Sequence, residues 1–179
     1  HRWEWGWVDE ALENLVKARG ILPILDLMHY GTPHWLENSF INYNYPERVA
    51  EYAARVAERY HNLVQVYTPL NEPMVNADMC GQRGLWPPYL VGEDGGTQLV
   101  LALARGIVQT MAALKAAQPG CLTVQVEALW HHWTHDPSLA EQVARNQAKQ
   151  YLCFDLCRGK VGEGHPLWAA LRQQGVSQE

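Results

Sequence analysis

Apolar residues along the chain switch between helical and strand-like spacing, and the switches divide it into seven segments. Over residues 7–19, Val8, Leu12, Leu15 and Val16 recur at helical spacing, Asp9 and Glu10 fall in the first turn, and Gly20 follows as a stop, so a helix is predicted. Residues 21–29 (Ile-Leu-Pro-Ile-Leu-Asp-Leu-Met-His) are mostly apolar with Pro23 near the start, which predicts a strand buried on both faces, as parallel sheets require. A loop over 30–45 leads to Pro46, which opens a helix to Tyr60 with Val49, Tyr52, Ala53 and Val56 as its inner stripe. A strand over 63–68 and a long loop over 73–96 follow. Thr97 is a candidate N-cap for a third helix reaching residue 118, with Leu99, Ala102, Leu103, Ile107 and Met111 inward and Pro119-Gly120 ending it. Residues 121–129 read as a strand, and Asp136-Pro137 begins a helix running to about Leu156.

Strands alternating with helices predict an α/β fold with a parallel sheet and right-handed crossovers. An open sheet and part of a barrel share this pattern. A complete (β/α)8 barrel takes about 250 residues, so 179 residues with three strands are expected to form one segment, 1–179, of a longer chain. Composition narrows the partners. No uninterrupted apolar run approaches the roughly 18 residues of a membrane span, and a net charge of −5 without a basic stripe argues against nucleic acid and anionic membrane. Eight Trp and eight Tyr against two Phe favour rings that offer an apolar face and a polar handle, a combination suited to carbohydrate. Cys80, Cys121, Cys153 and Cys157 lack the density of a disulfide framework. Reduced thiols are the expectation, and a cytoplasmic location is expected separately.

The chemistry centres on Val66-Tyr67-Thr68-Pro69-Leu70-Asn71-Glu72-Pro73, a β-branched and aromatic run that delivers the carboxylate of Glu72 to the C-terminal edge of a strand. Catalytic groups collect at that edge in parallel α/β folds. The alternative is that Asn71-Glu72-Pro73 merely ends the strand. His29 ends the preceding strand and Glu127 closes the following one. Neighbouring strands lie about 4.8 Å apart, so Glu127 is expected near Glu72, lining the site and raising a pKa in the pair. The loop Trp130-His131-His132-Trp133-Thr134-His135 holds three imidazoles, but no carboxylate or Cys completes a zinc motif, and no metal or cofactor is expected. As aromatics at the rim, Trp130 and Trp133 suit a sugar-contacting surface, and Trp86 likewise; the alternative is that all three pack core or loop.

Taken together, His29-Tyr30-Gly31-Thr32-Pro33-His34-Trp35-Leu36, Thr68-x-x-Asn71-Glu72-Pro73 and Gly84-Leu85-Trp86-Pro87-Pro88-Tyr89 resemble, in order and approximate spacing, glycoside hydrolase family 1, the β-glucosidase-like retaining glycosidases. The resemblance implies a (β/α)8 barrel of which the chain covers about strands three to five. It implies Glu72 as general acid/base, and Asn71 and His29 as sugar-binding groups. The family's nucleophile is a glutamate in a Glu-Asn-Gly-like motif; no such motif occurs here, which places the nucleophile beyond Glu179. Where the family usually has Trp-Asp-Leu-Pro this chain has Tyr30-Gly31-Thr32-Pro33, a departure from ordinary β-glucoside specificity. Residues 151–168 resemble a divergent branch found fused to nucleotide-sugar reductases, which implies a deoxy-sugar or cell-surface glycan as substrate and a fused or downstream domain as partner. The alternative function is a non-hydrolytic carbohydrate-binding or regulatory barrel domain.

Overall fold

The computed structural model describes residues 3–177. Short strands β1 (Ile24–Asp26), β2 (Val66–Thr68) and β3 (Leu122–Thr123) form a parallel sheet in the order β1-β2-β3, with Ile24 opposite Val66 and Val66 opposite Leu122. Helix α1 (Gly6–Glu13), extended by a π-helical turn over Asn14–Ala18, precedes β1. Helix α2 (Tyr45–Tyr60) connects β1 to β2. The β2-to-β3 connection holds the short α3 (Pro73–Asn76), a π-helical turn over Ala77–Gln82, and α4 (Gly92–Ala117). Helices α5 (Ala140–Lys149), α6 (Leu152–Cys157) and α7 (Trp168–Gln173) follow β3.

Because side chains alternate along a strand, the register divides the sheet into two unlike faces. Leu25, Leu27, Tyr67 and Cys121 pack into the helix layer with Leu12, Ala53, Val56, Tyr60, Val64 and Leu114. Tyr67 is fully buried, and its hydroxyl is satisfied by donating to Gln118 Oε1 at 2.7 Å, while Gln118 Nε2 donates to the Val64 carbonyl at 2.9 Å. The opposite face is mostly apolar, with Asp26 and Thr68 on it, and open. Ile24 and Leu122 are 59% and 63% exposed, and Val124 and Val126 are exposed beside them. The expected burial of the strands on both faces therefore holds on the helix side only.

A second core lies between the helices. Leu99, Val100, Leu103 and Ile107 of α4 pack with Phe40, Tyr45, Val49, Leu70, Cys80, Leu152 and Cys153. Gly106 lets the two long helices approach, since a Cβ there would stand 2.6 Å from the Tyr45 ring. Helix α4 begins at Gly92 rather than at Thr97, because Gly95-Gly96 serves packing and not a loop. A Cβ on Gly81 would lie 2.7 Å from the Gly95 carbonyl oxygen, so paired glycines bring the π-helical turn against the first turn of α4. The predicted 73–96 loop is thus largely helical. By length and composition α4 could cross a membrane, with a mean hydropathy of 1.4 over its most apolar window, and 44% of that window is buried within the fold.

Two further differences follow from local geometry. The π-helical turn after α1 widens the coil and leaves Leu15 exposed instead of inward. The helix predicted over 136–156 breaks at Gln150 and Tyr151, where the buried Gln150 side chain accepts from the Trp130 N–H at 2.8 Å and donates to its carbonyl at 3.0 Å.

An open apolar face flanked by two parallel edge strands is a surface for association. The 179-residue chain is expected to self-associate, measured by light scattering after size-exclusion chromatography; a monodisperse monomer that melts cooperatively would contradict this.

Candidate active site

The pairing of the strands continues past their regular ends and converges on Asn71 and Glu72. The Asn71 N–H donates to the Met28 carbonyl at 3.0 Å, the Glu72 N–H donates to the Val126 carbonyl at 3.1 Å, and Asn71 bridges Val126 in parallel fashion. Backbone from the ends of β1 and β3 therefore holds the residue pair from both sides. At Glu72 the chain turns sharply, with φ 44° and ψ 65° in the left-handed region, a conformation that costs a non-glycine residue of order 1–3 kcal/mol.

Three features hold that turn. Pro73 supplies a fixed φ at the start of α3. The Asn76 N–H donates to the Glu72 carbonyl at 3.1 Å. The fully buried Asn76 carboxamide donates from Nδ2 to the carbonyls of Asn71 at 3.0 Å and Glu72 at 3.1 Å. One buried amide group thus fixes both backbone carbonyls behind the acid. Asn76 lies four residues after Glu72, a back-bonding distance for a polar residue in a first helical turn, and that spacing was the signal available in the sequence.

On the β1 side the Tyr30 hydroxyl donates to Glu72 Oε2. Tyr30 is itself left-handed, at φ 56°. Its ring centroid lies 4.4 Å from that of His29, edge-on, and 5.2 Å from that of Trp86. His29 Nδ1 pairs with Asp26 Oδ2 at 2.6 Å, and the carboxylate acceptor sets Nδ1 as the donor, leaving Nε2 of a half-exposed ring directed to other partners. Sequence reasoning named His29 and Trp86 but treated Tyr30 only as a departure from a pattern. It missed Asp26 altogether, although an acid three residues before a strand-end histidine was there to be read.

On the β3 side Glu127 Oε2 accepts from the Met74 N–H at 2.8 Å and Oε1 from the Ala128 N–H at 3.0 Å. Burial pushes the Glu127 carboxyl up to about 7; the backbone N–H donors oppose the rise and the negative charge of Glu72 adds to it. The two acids therefore stand within electrostatic reach across the strand ends. Asn71 is half-buried, and its carboxamide is engaged by no other side chain among the described residues. Trp130 stands apart, its backbone fixed by Gln150 and its ring 62% exposed, with no ring or hydrogen-bond contact to Glu72 among the described residues. The larger clefts lie elsewhere, one of about 790 Å³ beside α4 and α7 and one of about 730 Å³ lined by Trp35, Tyr45 and Tyr52. The rim carrying Glu72 is open. His131, His132 and His135 are strung along irregular chain, and among the described residues no group of three His, Cys, Asp or Glu side chains is arranged to hold a metal ion.

A sequence profile described as Glycosyl hydrolase family 1 matches residues 9–152. Beta-glucosidase 16 of Arabidopsis thaliana is 25% identical over 159 residues, covering 78% of this chain and 31% of its own length. Among solved structures, the beta-glucosidase of Thermotoga maritima in complex with glucoimidazole superposes with a TM-score of 0.83 at 16% identity, over 94% of this chain and 39% of that one. The AHE enzyme of Alicyclobacillus herbarius gives 0.81 at 21% identity, over 96% and 39%. The hyperthermophilic beta-glucosidase of Pyrococcus furiosus gives 0.74 at 19%, over 86% and 36%. The chain spans about a third of the length of the relatives it matches. The three strands and their helices are a portion of a (β/α)8 barrel.

The raised pKa of Glu127 carries a stability consequence. A carboxyl whose folded pKa exceeds its unfolded value contributes stability that is complete below the unfolded pKa, near 4.5, and is lost as pH rises through about 7. Relative to wild type, Glu127→Gln is therefore expected to gain stability as pH rises through that window, measured by denaturant unfolding; a difference between the two proteins that stays constant across it would contradict this.

Proposed function

The chain belongs to glycosyl hydrolase family 1, and on that premise we propose that the protein carrying it hydrolyses a β-glycoside with retention of configuration, Glu72 acting as general acid/base. The observation that carries this reading is the placement of Glu72. Its carboxyl leaves the end of β2 on a left-handed turn locked by Asn76 and Pro73, directly beside Asn71 and with the His29 imidazole on the same rim. A general acid needs such fixed geometry more than it needs any particular pKa.

In the first step the Glu72 proton passes to the glycosidic oxygen as that bond breaks, while a carboxylate nucleophile attacks the anomeric carbon from the other face and forms a glycosyl-enzyme. In the second, ionised Glu72 takes a proton from water, the water oxygen bonds to the anomeric carbon, and the nucleophile leaves. The nucleophile is assigned beyond Glu179. Glu127 does not suit that role, because both its oxygens are engaged by backbone N–H groups and it projects from the strand adjacent to Glu72. Asn71 and the Nε2 of His29 are the donors and acceptors available to sugar hydroxyls. Trp86, packed on Tyr30, is assigned to the aglycone side, and exposed Trp130 to a more distant sugar contact. The mechanism uses no metal or cofactor.

The test uses the natural full-length protein and nitrophenyl β-glycosides. Glu72→Gln is expected to lose about 10²–10⁴-fold in rate toward substrates with poor leaving groups and less toward activated ones, with partial rescue of the latter by azide. Binding of sugars without any hydrolysis by the wild-type protein would instead favour a carbohydrate-binding domain.

A further inference from the structure

We propose that Tyr30 is a positioning residue for Glu72: its hydroxyl holds Oε2 of the carboxyl, so that Oε1 alone delivers and collects the proton. This rests on the acid/base reading of Glu72. It assigns a role to the residue at which the β1 motif departs from its family.

The geometry supports it from both ends of the contact. The Tyr30 backbone turns left-handed immediately after the His29 position. Its ring is confined between the His29 imidazole at 4.4 Å and the Trp86 indole at 5.2 Å, so the phenol is carried toward β2, where it donates to Glu72 Oε2. On the other side, the Glu72 main chain is fixed by Asn76 and by the Val126 carbonyl, so the carboxyl meets the phenol in a set orientation. A carboxyl free to rotate presents either oxygen to the leaving group; one with Oε2 engaged presents Oε1 only.

The contact also bears on the charge that Glu72 must carry in the second step. A phenol donating to a carboxylate favours its charged form, and charge-assisted bonds of this kind are about twice as strong as neutral ones. The titratable groups facing Glu72 are Tyr30, with His29 and Asp26 next to it, from the end of β1, and Glu127 from the end of β3, which is itself within electrostatic reach of Cys153 of α6. Glu127 when ionised repels a charge on Glu72 and Tyr30 stabilises one. The two act in opposite senses, and Tyr30 is the group that aids the second step, in which Glu72 must be ionised to accept a proton from water.

Tyr30→Phe keeps the ring and its packing and removes only the hydroxyl. In the natural full-length protein it is expected to lower kcat about tenfold toward substrates with poor leaving groups, to change KM little, and to cost less than threefold toward activated ones, because what is lost is the orientation of the proton donor. In a Glu72→Gln background the same substitution is expected to have less than a twofold effect. If Glu72→Gln shows the selective loss on poor leaving groups but Tyr30→Phe slows poor and activated substrates equally, or neither, Tyr30 has no such role. An undiminished effect of Tyr30→Phe in the Glu72→Gln background would overturn it equally. If Glu72→Gln shows no leaving-group dependence, the acid/base reading fails, and this proposal with it.

Discussion

The left-handed turn at Glu72 is the constraint on which the rest of the site depends. A glutamate does not adopt φ 44° on its own account, so the surrounding chain must over-determine it. Here the determination is backbone-based: the Asn71 and Glu72 amides are tied to the ends of β1 and β3, and both carbonyls are tied to Asn76. The acid therefore inherits the rigidity of a three-strand sheet, although the residues around it belong to loops. Functional side chains on loops anchored to a rigid scaffold are the usual arrangement in α/β enzymes.

That scaffold is built asymmetrically. Tyr67 and its buried hydrogen bond to Gln118 fill the helix side of the sheet, and a second core is closed between α2 and α4 with Gly106 against Tyr45. The other side shows Ile24, Leu122, Val124 and Val126 to solvent. In a closed (β/α)8 barrel that inner face is filled by layers of side chains from alternate strands. Asp26 belongs to the same face by register, which explains why it can reach His29 at the rim. The Cys80, Cys121, Cys153 and Cys157 thiols are free, and the first three are buried, packing as small apolar groups.

Alternation of apolar periods was enough to read βα units and a parallel sheet, because buried stripes such as Val49, Ala53 and Val56 leave a signature in any single chain. Boundaries were less legible. Gly95-Gly96 looked like a loop, and only the opposing Gly81 reveals a packing role, a long-range fact that no local window contains. The same holds at the site. Asn71-Glu72-Pro73 announced itself by composition and position. Tyr30, 42 residues upstream of the carboxyl it touches, carried no chemical signature of its own, and Asn76, whose job is to hold backbone, carried only its four-residue spacing from Glu72. Glu127 was foreseen beside Glu72 from strand spacing, but not its backbone ligation, which depends on how α3 starts.

The most direct test of the account is the stereochemistry of hydrolysis, followed by proton NMR of the anomeric signals during the first turnovers of the natural full-length protein on a β-glycoside. Double displacement with Glu72 as acid/base predicts that the β-anomer of the sugar appears first and only later mutarotates. Initial appearance of the α-anomer would contradict it.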